Sequence, residues 1–474
     1  MSNRIWTVSG ALGLLCVSVI SAQPRPLAPN VARYVSVNAP IVALTHVRVV
    51  DGTGAPARED QTIIVRDSRI EAVGSASAAK IPAGAQVLDL TGSTVIPGLV
   101  GLHEHTWFGG MQVSTPMSVT APLLYLGLGV TTAMTAGTMF AYQELNLQRA
   151  VDAGVVPGPR FLIAGPYLSA GPPSAASGDR LLTTPEETRR VIAYWASEGA
   201  TWFKFLGGET RAELAAGIKE AHARGLKVTG HLCSITFTEA SELGIDLLQH
   251  GFITNSDYVP GKKPDVCPPE NMKVQADVDV NSPEVQASIR AIVSHGTAVA
   301  STLGVYETFV PERAHLDSAA MEMLSPAARA EVQANNAGLA QSGFTVPVRL
   351  LKKMMEWERA FVRAGGLLGA GCDPWGTGYL PGFGDLRNYE MLIEAGFTAA
   401  ETVRIMTLNG ARIVGKDKET GSIVPGKMAD LVVIRGNPVQ TPHDIYNVVT
   451  VFKSGVGYDS MKLREGAKGR VGVM

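Results

Sequence analysis

A surplus of either charge is the first thing this 474-residue sequence lacks: 41 Lys and Arg stand against 43 Asp and Glu, a net charge of −2. Such a balance offers no basic stripe to hold a phosphate backbone, so nucleic acid is not expected as a partner. Cysteine is scarce as well. Cys16 lies in an N-terminal apolar run, which leaves Cys233, Cys267 and Cys372, an odd number without close pairing. No disulfide framework is indicated, although a single Cys233 to Cys267 bridge stays open. Long apolar runs are missing too, since the stretch Ile5 to Ile20 falls short of the roughly 20 residues a membrane span needs. It follows Asn3 and Arg4 and ends at Ser21, Ala22, Gln23 and Pro24, which reads as a secretory signal peptide over residues 1–22. The mature chain is therefore expected to be secreted or periplasmic, without stable membrane insertion.

What is present is 46% hydrophobic residue content on a chain longer than one ordinary domain, enough for one large core and a smaller appendage. From Pro40 to Leu90 short apolar runs alternate with turns such as Asp51-Gly52, and the style returns in Ala429 to Ile434 and Val448 to Phe452. This predicts a small β-sandwich built from both chain ends, residues 40–94 and 416–465. Between them, residues 95–415 alternate short β-rich runs with helical spacing. The eight candidate strands are Val95 to His105, Val130 to Met134, Arg160 to Ala164, Thr201 to Phe205, Lys227 to His231, Leu247 to His250, Thr297 to Ser301 and Leu367 to Asp373. That count fits a (β/α)₈ TIM barrel of α/β class, with a doubly wound open sheet as the competing architecture. Two connections, Gly251 to about Pro283 and Gly304 to about Val346, are long and read as covers over a site at the strands' C-terminal ends.

Chemistry-bearing residues fall at those ends. In His103-Glu104-His105 the strand period of two turns both imidazoles to one side and Glu104 to the other. Lys204 lies in the apolar strand Trp202-Phe-Lys-Phe205, where a bare ammonium is expensive and would repel cations. Either the lysine snorkels to the barrel rim, the commoner case for an isolated lysine, or its amine has captured carbon dioxide to become an anionic carbamate, N6-carboxylysine, able to bridge two divalent ions. His231 closes Lys227-Val-Thr-Gly-His231, and His250 closes Asp246-Leu-Leu-Gln-His250. Asp373 ends Gly369-Ala-Gly-Cys-Asp373 before Pro374, placed either to ligate and take a proton or to cap a turn.

With these residues, the entry motif Ile96-Pro-Gly-Leu-Val-Gly-Leu-His-Glu-His105 and the exit motif Gly421-Ser-Ile-Val-Pro-Gly-Lys-Met-Ala-Asp-Leu431, the chain resembles the amidohydrolase superfamily in its two-metal branch with a carboxylated lysine. The resemblance covers residues 40 to 460. It implies that His103, His105 and Asp373 hold one divalent ion and His231 and His250 another, with carboxylated Lys204 between them and Asp373 moving the proton. Zinc is the default metal for such donors. The family often has aspartate two residues before the first histidine, where this chain has Gly101.

The contexts Phe203-Lys204-Phe205, Gly230-His231 and Gln249-His250-Gly251 are similar to those of secreted dipeptidase, prolidase-like and carboxypeptidase-like members. They imply hydrolysis of an amide bond in a small-molecule, peptide-like substrate such as an N-acyl amino acid or dipeptide. A lactonase, esterase or phosphotriesterase would use the same centre, and a non-catalytic periplasmic binding protein is the alternative outside catalysis. Tyr258, Tyr306, Trp375, Tyr379 and Arg387 are expected on loops at the mouth, within reach of substrate. Barrels of this type commonly associate, so a homo-oligomer is expected.

Overall fold

A computed structural model describes residues 26–109, 114–170, 180–181, 184–313, 317–342, 346–376 and 378–473. Residues 1–22, expected to be a signal peptide, lie outside the described residues, and among the latter no helix is long and apolar enough to cross a membrane.

The centre of the molecule is a curled parallel sheet. Its principal strands are β1 (Leu99–Glu104), β2 (Val130–Thr135), β3 (Arg160–Leu162), β4 (Trp202–Gly207), β5 (Lys227–Gly230), β6 (Leu247–Gln249), β7 (Ala298–Ser301) and β8 (Leu368–Ala370). They pair in the order β3-β2-β1-β8-β7-β6-β5-β4. Past Leu162, Ala164 pairs in parallel with Trp202, the Thr201 amide donates to Ile163 and the Gly165 amide to Trp202, so β3 also runs beside β4. Helices cover the sheet, and each is started by a local signal. Thr184, Thr210, Thr236 and Ser282 cap the helices Pro185–Glu198, Arg211–Ala223, Phe237–Glu242 and Pro283–Ser294, each accepting a third-position amide.

The two chain ends meet in a second sheet of nine strands. Ser93–Pro97 lies between Leu431–Arg435, which it pairs antiparallel, and Ile41–Val49, which it pairs parallel. Val42, Leu44, Ile63, Val65, Leu431, Val433 and Phe452 fill its core. The expected sandwich is in its pairing one continuous sheet, because alternation shows which residues face inward but not which strands pair. Buried Asp430 of the exit motif ties this sheet to the parallel one, accepting from Thr420 Oγ1, the Ser454 amide and Arg160 at the start of β3.

One expectation needs correction. Val95 to His105 is not one strand: Ser93–Pro97 belongs to the chain-end sheet and Leu99–Glu104 to the parallel sheet, with Gly98 between them donating to Asp430 O. The described residues of the long connection from Gly304 to Val346 include the helices Ser318–Met323 and Pro326–Ser342 and most of Leu303–Glu307. Their apolar residues lack a strong one-sided period, which hid them.

Candidate metal centre

The six singled-out residues gather at the C-terminal ends of their strands. His103 and His105 at the end of β1 and Asp373 after β8 bring ligand atoms within 4.8 Å of one another. Asp373 Oδ1 lies 3.2 Å from His105 Nε2 and 3.5 Å from His103 Nε2. Lys204 on β4 reaches the same point, with Nζ 3.3 Å from His103 Nε2. His250 after β6 packs its ring 4.5 Å from those of both His103 and His231, and its Nδ1 is 3.6 Å from Asp373 Oδ2.

Backbone geometry aims these groups. Pairing with β2 steps from Ala133↔Gly101 to Thr135↔Glu104, so β1 carries one residue more than its neighbour there, a bulge. Below it Val100 and Leu102 pack with Trp202, Leu247 and Ala300; beyond it His103 and His105 reach the cluster. His250 and Asp373 have φ of 65° and 51°, a left-handed conformation that a non-glycine residue keeps only where its surroundings impose it. Hydrogen bonds impose it at Asp373, whose amide donates to His103 O at 2.7 Å.

Gln249, the residue before His250, takes a contact that the sequence reading left unassigned. Its Oε1 is 2.8 Å from His103 Nδ1, while its amide nitrogen donates to Leu102 O and Thr229 Oγ1. Because that nitrogen donates twice, Oε1 must accept, so His103 carries its proton on Nδ1 and presents an Nε2 lone pair to Lys204 and Asp373. His250 Nδ1 is paired with Thr302 Oγ1 at 2.9 Å.

Burial sets the charges. It pushes His103 and His250 well below the usual imidazole range and His231 down to about 4, with the nearby Lys204 ammonium a further cause at each. The imidazoles are thus neutral near pH 7, the form that ligates metal. Burial also brings Lys204 down to about 7, so that an unprotonated amine is accessible near neutrality. Neutral imidazole nitrogens, one carboxylate and one titratable amine, turned together in a buried site, suit divalent metal ions.

The expected substrate contacts divide. Tyr306 stands beside the cluster, its ring 5.5 Å from that of His250. Trp375 packs 5.9 Å from Phe309, near Tyr306. The other three are engaged elsewhere. Tyr258 is buried with its hydroxyl on Ser288 and Trp357 Nε1, and Tyr379 donates to Gly384 O. Arg387 is on the helix Phe383–Glu394 rather than a loop, and its guanidinium is spent on Glu307 and Glu390. Sequence shows residue type and spacing but not a partner 80 residues away. Two aromatics not singled out from the sequence adjoin the site. Trp107 lies 4.7 Å from the His105 ring with its buried Nε1 lacking a partner among the described residues, and the Tyr167 hydroxyl is 3.5 Å from His105 Nδ1. Trp107 continues the β1 alternation two residues past His105, a signal that could have found it.

Of the remaining histidines, His222 pairs with Asp246, His46 with Asp60 and His443 with Glu390, all away from the cluster, and His315 lies outside the described residues. Cys233, two residues after His231, is bonded to Cys267, the one pairing the sequence left open; Cys372 is free and buried.

Comparison with known proteins places this geometry. The sequence profile of the amidohydrolase family matches residues 94–457. A deacetylase of Agrobacterium fabrum is 41% identical over 101 residues, 21% of this chain and 23% of that protein. An enamidase of Eubacterium barkeri is 35% identical over 86 residues, 18% of this chain and 22% of its own. These alignments thus span under a quarter of either relative. A solved structure assigned as a prolidase from Bifidobacterium longum superposes with a TM-score of 0.65 at 26% identity, covering 90% of this chain and 98% of that one. The chain therefore belongs to the amidohydrolase family of enzymes.

Proposed function

We propose that this chain is a metal-dependent hydrolase of carbon–nitrogen bonds that cleaves an amide in a small peptide-like substrate, an N-acyl amino acid or a dipeptide. The observation that carries the reading is the convergence of His103, His105, Lys204, His250 and Asp373, neutral imidazoles included, at the ends of β1, β4, β6 and β8. The pairing of β3 with both β2 and β4 supports a closed (β/α)₈ barrel, a fold whose catalytic groups come from those ends. The shared sheet of residues 35–97 and 431–459 supports a composite domain from both chain ends.

His103, His105 and Asp373 would hold one divalent ion and His231 and His250 a second, with Lys204, carboxylated, between them. When bound, such ions lower the pKa of water toward about 7 and polarise the scissile carbonyl. Asp373 then accepts the proton of the attacking water and delivers it to the departing nitrogen. Gln249 fixes the tautomer of His103, and Tyr306 and Trp107 border the space for substrate side chains. The Cys233–Cys267 bond supports a secreted or periplasmic enzyme, since such bonds persist in oxidising compartments.

The test is metal counting on the purified enzyme, with assays on N-acyl amino acids, Xaa-Pro and other dipeptides, lactones and a phosphotriester. Two divalent ions per chain and amide turnover that stops on chelation and returns with metal are expected. Turnover of the lactone or phosphotriester above every amide would overturn the substrate class. One ion per chain would favour a deaminase-type centre.

A further inference from the structure

The side of β1 turned away from the metal centre holds a buried acidic cluster that the reaction does not use. Glu104 lies between the two histidines, and its carboxylate is fully buried with Cys372 and Asp385, their polar atoms within 4.8 Å of one another. Glu104 Oε1 accepts the amide hydrogen of Cys372 at 3.1 Å. The Asp385 carboxyl accepts from the Gly382 amide at 3.1 Å, so the cluster is anchored on the first turn of the helix Phe383–Glu394. Tyr125 clamps the next residue along, accepting from the His105 amide at 3.0 Å and donating to His105 O at 2.9 Å.

Three observations turn this cluster toward catalysis. Cys372 immediately precedes Asp373, whose φ of 51° needs an imposed backbone. Two amide hydrogen bonds impose it from β1, Cys372 to Glu104 and Asp373 to His103 O. The bulge puts Gly101 on the Glu104 side of the strand: a Cβ at Gly101 would lie 2.1 Å from Glu104 Oε1. Any side chain there would collide with the carboxylate, which fills the space that a residue 101 side chain would enter.

We propose that Glu104 is a positioning residue, whose carboxylate pins the Cys372 amide and so holds Asp373 against His103 and His105. It supplies from position 104 an acidic group that the resemblance would place at position 101, and glycine at 101 is the steric consequence. The amide bond needs only an acceptor oxygen, so glutamine can replace the carboxylate but alanine cannot. The inference rests on Asp373 serving as metal ligand and proton acceptor.

Its test combines hydrogen exchange at the Cys372 amide in metal-free protein with divalent metal titration and steady-state kinetics. Glu104→Ala is expected to speed exchange at Cys372 at least tenfold, weaken metal affinity by about 10- to 100-fold and lower kcat more than it raises KM. Glu104→Gln stays within about threefold of the parent on all three, as a retained acceptor requires. Gly101→Asp alone behaves like Glu104→Ala, because the new side chain displaces the carboxylate. The double variant Gly101→Asp with Glu104→Ala is better than either single one. The proposal is overturned if Glu104→Ala leaves Cys372 exchange unchanged, or if the double variant is as impaired as the worse single. It is equally overturned by a third divalent ion per chain that vanishes in Glu104→Ala, which would make the cluster a metal site. Should Glu104→Ala fail to fold, Gly101→Ala carries the same readouts by the same clash. A parent enzyme that binds no metal would overturn the metal reading, while amide exchange would still decide the brace.

Discussion

The two sheets use burial for opposite ends. Around Phe452 the core of the chain-end sheet is aliphatic and aromatic, with Val42, Leu44, Val433 and Ile63 at 2% exposure or less. The C-terminal ends of the parallel strands bury His103, His105, Lys204, His250 and Gln249 to within 3% exposure, and hold His250 and Asp373 at positive φ. Burial in the first region stabilises the fold directly. In the second it strips imidazoles of their protons and an amine of most of its basicity, at a cost in stability that apolar packing elsewhere must offset. The comparison teaches that substitutions in the two regions should fail in different measurements.

The largest expected effect is on rate and metal binding, not on folding. Asp373→Asn keeps the shape and tolerates the left-handed backbone but cannot take a proton, so kcat should fall by about 10²- to 10⁴-fold. The melting temperature should stay within a few degrees; a large drop in stability with the rate preserved would break the comparison. The mirror image is Phe452→Ala, which should lower unfolding free energy by about 3–5 kcal/mol in denaturant titrations. Its kcat per folded molecule should remain within twofold of the parent. Cys233→Ser falls between the regions: opening a bond of sequence separation 34 should lower stability by about 3 kcal/mol. It should also raise KM by loosening the segment that follows His231.

The smallest effect is a pH dependence. In the folded protein His231 titrates at about 4, below its ordinary value of 6.5, so the native state binds fewer protons than the unfolded one in between. Its contribution is complete above about pH 6.5 and is lost as pH falls toward 4, roughly 2–3 kcal/mol for a group with some residual exposure. Metal-free protein should therefore lose stability between pH 6.5 and 4 more steeply than His231→Gln. Parallel curves from the two proteins would contradict the assigned environment of His231.

Much of the site was legible because its spacing is local. His103 and His105 two apart in a strand, or His231 and His250 each closing a short apolar run, announce themselves without knowledge of the fold. Seven of the strands lie within a few residues of their expected bounds, since apolar runs bounded by glycine and helical spacing repeat so regularly. What stayed hidden depends on partners remote in the chain. The split of the entry motif at Gly98 is decided by Asp430 and the strand Leu431–Arg435, and the engagement of Arg387 by Glu307. The bulge in β1 was equally invisible, for an extra residue is defined only against the neighbouring strand. Strict alternation would have set Gly101 on the same face as His103, and with it the crowding by Glu104 could not be foreseen.

The strand Ser93–Pro97 leads through Gly98 directly into β1, yet its antiparallel neighbour is Leu431–Arg435, more than 300 residues later. During synthesis more than 300 further residues must therefore be made before this seam can zip, and contacts of such long range form slowly. Until then Ser93–Pro97, which leads into the strand of the first two imidazoles, has one edge without its neighbour, available for mispairing with other nascent chains. The order of translation thus makes the entry to that strand wait for a partner encoded more than 300 residues later.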